Sequence, residues 1–361
     1  MTTGTPPPIR RIRVLIVDDS LFMRAAIAKA LAGGPFEVVG QAKDGNDAIA
    51  QIMRLAPDVV TMDFNMPGMT GAEAVRQVMQ QRPTPVVMFS AHTRQGAKET
   101  FDALAAGAVD FLTKPAGEVS VDLSRITEEL TRKLIAASQA RPRPASPPPT
   151  RPSGSFTAMR APGASSSWPA IPVTSPGLTR LCVIGISTGG PAALSELVPA
   201  LPPDLRLAII VVQHMPAGFT GPLAERLDAL SRVPVSEARA GDRPLAGHVL
   251  IAPGDHHLEF DDRGAIALTD GPLVNGCRPA ADVTMTSAAR IYGRRALAIV
   301  MTGMGKDGAA GALAIKRADG KTLAQDQASS VIYGMPKAAI DLGAIDEVAP
   351  LADIAAWLRY A

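Results

Sequence analysis

Two sets of polar residues in this chain stand at the ends of short apolar runs, at spacings that can do chemistry. In the first set Asp18 and Asp19 close "RVLIVDD", Asp63 closes "PDVVTMD", Ser90 lies in "PVVMFSA" and Lys114 in "VDFLTK". Adjacent carboxylates repel each other, and a cation removes that cost; hard oxygen ligands suit Mg2+. A carboxylate beside Mg2+ and a lysine can attack a phosphoryl group, because the cations neutralise the transferring oxygens. One aspartate after a strand is ordinarily a cap or turn residue, but the same kind of residue at successive run ends points to a site. In the second set Ser187 lies in "CVIGISTGGPAAL" (182–194), His214 in "VVQHMP" (211–216) and Asp307 in "IVMTGMGKDGAAG" (299–311). A serine nucleophile needs a base within reach, and the base needs a carboxylate to fix its tautomer. Cofactor-free acyl transfer to serine is the chemistry this second set could do.

Other readings stay open on spacing alone. The turn "GISTGG" could cradle a phosphate, although it lacks the lysine of G-x-x-x-x-G-K-[ST] and is not G-x-G-x-x-G. Thr188 separates it from a G-x-S-x-G elbow, and the order Ser, His, Asp differs from that of the α/β-hydrolases. His248, His256 and His257 are rival bases, and Asp319 and Asp326 are rival carboxylates.

The elements that must position these residues are legible as alternation. "RVLIVD" (13–18), "FEVVGQA" (36–42), "PDVVTMD" (57–63), "PVVMFSA" (85–91) and "VDFLTK" (109–114) read as strands with helical segments between them. Ser20 reads as an N-cap and Gly33–Gly34 as a stop for the first helix. After residue 179 the pattern resumes with "LCVIGI", "LRLAIIVVQH", "HVLIAP" and "RALAIVMTG". The expected fold class is α/β, with two doubly wound parallel-sheet domains. In such sheets functional groups gather at the carboxyl ends of the strands, where both sets fall. Between the halves, Ser138–Gly177 holds ten of the 32 prolines and no acidic residue. That composition cannot bury a core and reads as a linker. The expected division is a first domain at 11–136, a linker at 137–178 and a second domain at 179–361.

Composition narrows the partners. With 36 Lys and Arg against 34 Asp and Glu, the net charge of +2 offers no basic stripe for nucleic acid. At 4% of residues, aromatics are too sparse for base stacking. Cys182 and Cys277 fit a reduced cytoplasmic protein better than a disulfide scaffold. The apolar runs, such as "LAIIVV" (207–212), are too short to span a bilayer, and the first residues lack the apolar core of a signal peptide, so no membrane insertion is expected.

"VLIVDDS", "MDFNMPGMTG", "FSA" and "DFLTKP" resemble the receiver domain of two-component response regulators. That resemblance implies that Asp63 accepts a phosphoryl group from a chemotaxis histidine kinase. It implies that Asp18, Asp19, Asp63 and the Asn65 carbonyl hold Mg2+, and that Ser90, Lys114 and Phe111 respond to the phosphate. "GISTGGPAAL", "QHMP", "PGDHHLE", "TGMGKDGAAG" and "AQDQASSVIYGMPKAAI" resemble the catalytic domain of chemotaxis protein-glutamate methylesterases. The resemblance implies a triad of Ser187, His214 and Asp307, with backbone N–H groups at Thr188 and Gly189 as oxyanion donors. The substrates it implies are γ-glutamyl methyl esters of methyl-accepting chemotaxis receptors, and receptor glutamines for deamidation. It also implies that the unphosphorylated receiver covers the esterase site. Ile186, Cys277, Ala280 and Gln327 depart from the family's usual residues, and none is a triad member. The alternative expectation is a response regulator whose output domain only binds.

Overall fold

The computed structural model of the chain describes residues 10–91, 93–114, 123–140, 142 and 179–360. Most of the expected linker therefore lies outside the described residues. The first half runs β1 (Ile12–Val17), α1 (Leu21–Leu31), β2 (Phe36–Ala42), α2 (Gly45–Leu55), β3 (Val59–Asp63), α3 (Gly71–Gln81), β4 (Val86–Ser90), α4 (Arg94–Ala105), β5 (Asp110–Thr113) and α5 (Leu123–Ser138). Each strand pair is parallel and the sheet order is β2-β1-β3-β4-β5. β3 and β4 are buried along their whole length, as expected for strands covered by helices on both faces.

Local signals set the helix starts. Ser20 caps α1 as expected, its Oγ accepting from the Met23 N–H at 3.3 Å. Thr70 and Glu73 close a reciprocal capping box on α3. The order of the sheet reverses between β1 and β3, which opens a crevice at their carboxyl ends. Asp18, Asp19 and Asp63 stand at that crevice.

The second half runs β6 (Arg180–Ile186), α6 (Gly190–Ala200), β7 (Leu207–Gln213), α7 (Thr220–Leu230), β8 (Val235–Glu237), β9 (Val249–Ile251), β10 (His257–Phe260), β11 (Ile266–Thr269), α8 (Ala281–Tyr292), β12 (Ala296–Val300), α9 (Ala309–Arg317), β13 (Lys321–Gln325), α10 (Met335–Asp341), β14 (Glu347–Ala349) and α11 (Leu351–Tyr360). Seven of these strands form a wholly parallel sheet in the order β14-β13-β12-β6-β7-β9-β8. β10 and β11 form a separate antiparallel hairpin. Cys182, Ile184, Ile209, Val211, Leu297 and Ile299 pack on one face of the large sheet, and Val183, Ile210, Ala298 and Val300 on the other. Each fully buried Val or Ile contributes about 1.5–3 kcal/mol, so the three central strands supply much of the stabilising burial of this domain. β6 lies between β12 and β7, which places Ser187 between the strands that end near Asp307 and His214.

Candidate active site and receiver pocket

β6 ends at Ile186 and the chain turns at once into α6. The Ser187 N–H donates to Thr302 O at 3.0 Å, and its carbonyl accepts from the Gly190 N–H at 2.8 Å and from Gln213 Nε2 at 3.1 Å. Gln213 is buried at the end of β7 and also donates to His214 O at 3.2 Å. One buried amide thus ties the serine turn to the histidine. Gly189 has a φ of +79°, and a Cβ there would come within 2.7 Å of Val331, so the turn needs glycine at that position for two separate reasons.

The structure brings His214 and Asp307 together: His214 Nε2 lies 2.6 Å from Asp307 Oδ2. Asp307 is buried and also accepts the N–H groups of Ala281 at 2.6 Å and Asp282 at 3.1 Å, the first turn of α8. Ala280 gives this helix no side-chain cap, and Asp307 supplies one from outside. Burial by itself raises the Asp307 pKa, but the hydrogen bond and charge of His214 and the two N–H donors outweigh it and hold the carboxyl below its ordinary value. Burial disfavours the His214 imidazolium, yet the hydrogen bonds to Asp307 and Cys277 and the pull of the same two side chains win, and its pKa is pushed up to about 9.

The other ring nitrogen, Nδ1, lies 3.5 Å from Cys277 Sγ. Among the described residues Ser187 Oγ and His214 form no hydrogen bond. Hydrogen bonds between nucleophile and base are commonly long before substrate binds.

The rival residues are otherwise engaged. His257 is buried, with one nitrogen accepting from Ala280 N at 3.3 Å and the other 3.0 Å from Pro272 O. His256 pairs with exposed Asp270 at 2.6 Å, and His248 meets Ser236 at 3.0 Å. Asp319 sits in a left-handed turn and Asp326 caps the Ser329 N–H at 2.8 Å. Asn275 was not singled out from the sequence, yet its Nδ2 lies 3.0 Å from Asp307 Oδ1 and 2.8 Å from Asp282 Oδ2. The signal that could have found it is the Asn-Gly pair between Val274 and Cys277, a hairpin-turn dipeptide.

In the receiver pocket, Lys114 Nζ lies 2.8 Å from Asp63 Oδ1 and 3.0 Å from Asp18 Oδ2. Asp18 and Asp63 are buried, while Asp19 is exposed. Burial raises the Asp63 pKa and outweighs the opposing hydrogen bond and charge of Lys114. Burial disfavours charged Lys114, but the two carboxylates reverse this and raise its pKa. One oxygen from each of Asp18, Asp19 and Asp63 falls in a cluster no wider than 4.8 Å. That set of hard oxygens fits Mg2+. Ser90 is buried and its Oγ donates to Gly96 O at 2.9 Å. Asn65 is exposed, its Nδ2 3.3 Å from Glu99 Oε2.

The two halves meet directly over the Ser187 turn. Thr188 Oγ1 donates to Asp110 Oδ2 at 2.6 Å, and the Gly189 N–H donates to Val109 O at 3.2 Å. Phe111 stacks on Phe219 with ring centroids 4.7 Å apart, and Lys133 Nζ lies 5.1 Å from the Phe111 centroid. Lys133 also holds the second Asp110 oxygen at 2.9 Å. Arg226 on α7 reaches Asp102 on α4 at 3.0 Å. Val331, Ile332 and Met304 pack with the Leu130 and Leu134 side of α5.

A flavodoxin-type sheet with an acidic pocket, seated on a parallel sheet bearing Ser, His and Asp at adjacent strand ends, defines a receiver coupled to a hydrolase domain. A family model described as the response regulator receiver domain matches residues 14–123, and one described as CheB methylesterase matches residues 182–358. A protein-glutamate methylesterase/protein-glutamine glutaminase of Symbiobacterium thermophilum is 46% identical over 96% of this chain and 96% of its own length. One from Pseudomonas aeruginosa is 44% identical, again over 96% of each chain. The crystal structure of the Thermotoga maritima CheB methylesterase catalytic domain is 43% identical, covering 50% of this chain and 98% of that one, with a TM-score of 0.49. The chain belongs to the protein-glutamate methylesterase/protein-glutamine glutaminase family. Among the described residues no helix is long and apolar enough to cross a membrane.

Proposed function

We propose that this protein hydrolyses γ-glutamyl methyl esters of chemotaxis receptors, and deamidates receptor glutamines, with Ser187, His214 and Asp307 as its triad. The observation that carries the reading is the 2.6 Å His214–Asp307 pair beside the Ser187 turn at the ends of three adjacent strands. Nε2 is committed to Asp307, so Nδ1 takes the Ser187 proton as Oγ attacks the ester carbonyl. The carbonyl oxygen gains negative charge and is met by N–H groups at Thr188 and Gly189, at the start of α6. The imidazolium returns its proton to the departing methoxide, and methanol leaves. Water attacks the acyl-serine by the same proton relay and frees the glutamate. With a glutamine substrate the leaving group is ammonia. No cofactor enters this hydrolysis.

The receiver supplies control. Asp18, Asp19 and Asp63, with the Asn65 carbonyl, would hold Mg2+, which neutralises charge on the transferring oxygens. Asp63 takes the phosphoryl group from the chemotaxis histidine kinase. Lys114 and Ser90 then engage the phosphoryl oxygens, and Phe111 responds on the same strand edge that meets Phe219. Docked as here, the receiver uses the Gly189 N–H that the oxyanion requires. Undocking returns that donor to the site, and a few kcal/mol of differential contact is enough for the switch.

The test is methanol release from methylated receptor membranes, with and without a small phosphodonor and Mg2+. Wild type should be stimulated by the phosphodonor and Asp63→Asn should not. Release from neither protein under any condition would leave the output domain a binding module. A second expectation isolates the docking contact. Asp110→Asn cannot accept from Thr188 and Lys133 with both side-chain atoms, and a hydrogen bond to a charged group is worth about 1.5–3 kcal/mol. Basal release without phosphodonor should therefore rise about tenfold. Unchanged basal release would remove the Asp110–Thr188 contact from the inhibition.

A further inference from the structure

The acid of the triad is held by a segment that the family reading assigns no role. Val274 and Cys277 pair across a two-residue turn, with N–H to carbonyl distances of 3.1 and 2.9 Å. The two central residues, Asn275 and Gly276, have φ of +53° and +75°. This is the turn geometry that Asn-Gly favours, because asparagine tolerates the left-handed region and glycine is at ease there. The turn carries two side chains into the site. Cys277 Sγ lies 3.5 Å from His214 Nδ1, and Asn275 Nδ2 lies 3.0 Å from Asp307 Oδ1 and 2.8 Å from Asp282 Oδ2.

The chemistry of that amide is specific. An NH2 group has two hydrogens, and here each has its own carboxylate acceptor. Asp282 lies in the first turn of α8 and its Oδ1 accepts from the Gly311 N–H at 2.7 Å, which holds it in place. Two carboxylates held this close repel, and the amide is the donor placed between them. Asp307 Oδ1 has the Asp282 N–H as its other partner at 3.1 Å, the longest of the four contacts to that carboxylate. Without the amide, Oδ1 keeps only that long Asp282 N–H contact, so the carboxylate is less firmly held against rotation about its Oδ2 contacts, and the imidazole it holds would shift with it.

We propose that Asn275 is a positioning residue of the esterase reaction, its amide locking the Asp307 carboxylate against Asp282 so that His214 presents Nδ1 to Ser187. This rests on the triad reading above. It assigns the Asn-Gly turn a part in the reaction beyond its part in the fold.

Two substitutions separate these parts. Asn275→Gly keeps the turn, since glycine suits a positive φ better than asparagine, but removes the amide. Asn275→Asp keeps the turn and the shape, and replaces a donor with a third carboxylate. Both are measured in the full-length protein, phosphorylated, for methanol release against pH and for thermal stability, beside Ser187→Ala. The expected result is a fall in kcat of about tenfold to a hundredfold in Asn275→Gly, the scale of a misplaced catalytic group, and a larger fall in Asn275→Asp. The acid limb of kcat should move to higher pH in both. The groups facing His214 and Asp307 are Cys277 on the turn and Asp282 on α8. Loss of a donor, or gain of a negative charge, makes this cluster hold the imidazolium more tightly.

Wild-type kcat and an unmoved limb in both variants would make Asn275 a turn residue only. A fall in activity that tracks a fall in melting temperature, with the limb unmoved, would overturn the proposal as well. Full activity in Ser187→Ala is the separate outcome that would defeat the triad reading itself.

Discussion

Asp307→Asn is expected to lower methanol release about 10^4-fold, the scale of loss when a triad histidine is held in the wrong tautomer. The argument is a count of donors. Oδ2 accepts from His214 Nε2 and the Ala281 N–H, both at 2.6 Å, and Oδ1 accepts from Asn275 Nδ2 at 3.0 Å and the Asp282 N–H at 3.1 Å. An asparagine has one oxygen and one NH2, so in either orientation the NH2 faces a backbone N–H that cannot turn away. With the NH2 toward His214, it would donate to Nε2 and force the ring proton onto Nδ1, the atom that must receive the serine proton. With the NH2 toward Asp282, it confronts both Asn275 and the first turn of α8. Either arrangement leaves buried donors unpaired, at about 1–3 kcal/mol each.

The pH dependence of the same variant has a definite sign. His214 must be neutral to act as a base, and its pKa in the docked protein is about 9, so wild-type activity should climb through pH 9. Without the carboxylate, whose hydrogen bond is the largest of the raising influences, the limb should move to lower pH. Folding is linked to the same titration. The pKa is raised in the folded state, so the pair stabilises fully below about 6.5 and that contribution fades as pH rises through about 9. The decline in melting temperature over this window should be present in wild type and absent in Asp307→Asn. An unmoved limb with full activity would remove Asp307 from the reaction.

How far the sequence carries is visible in particular residues. β1, β3, β4, β6, β7 and β12 are apolar runs that end in polar residues, and that is why Asp18, Asp63, Ser90, Ser187 and His214 could be placed at strand ends before any coordinates. The short β8 and β14, of three residues each, were not legible, because Val235–Glu237 and Glu347–Ala349 are too short to show a period. The β10–β11 hairpin also escaped, because it stands outside the parallel alternation. At the site, the residue types of the triad were legible, but spacing could not choose His214 over His257. The motif resemblance points to His214, and the structure adds the contacts: His257 is spent on Ala280 and Pro272, while His214 reaches Asp307 across 93 positions of sequence. Asn275 was illegible for a related reason, since its acceptors lie on α8 and on the loop after β12. The contacts of Asp110 and Phe111 with Thr188 and Phe219 join residues from the two halves of the chain, and nothing local encodes such pairs.

Ser187→Ala should abolish esterase activity while leaving Asp63 able to take a phosphoryl group, with a loss in kcat of about 10^6-fold, as for other triad serines. The backbone of the turn does not depend on the hydroxyl. Its anchors are the Ser187 N–H on Thr302 O at 3.0 Å and the Ser187 carbonyl on the Gly190 N–H at 2.8 Å, and alanine keeps both. Melting temperature should therefore stay close to that of wild type, so that lost activity reads as lost chemistry. The variant also decides between two nucleophiles. Cys277 Sγ contacts the same Nδ1 that would take the serine proton, at 3.5 Å, and Cys182, the other cysteine, is fully buried. Position argues against the thiol: Ser187 stands at the start of α6 beside the Thr188 and Gly189 N–H groups, whereas Cys277 stands in a tight turn whose N–H is spent on Val274 O at 2.9 Å. Once the receiver's Val109 carbonyl releases the Gly189 N–H, an oxyanion formed on Ser187 has donors, whereas one formed on Cys277 would have to find them elsewhere. Near-complete loss of methanol release in Ser187→Ala follows from that asymmetry. A loss of only about tenfold, with the remaining activity abolished by Cys277→Ala, would mean that His214 serves the thiol instead, and that the glycine-rich turn has ceded the nucleophile to the residue opposite.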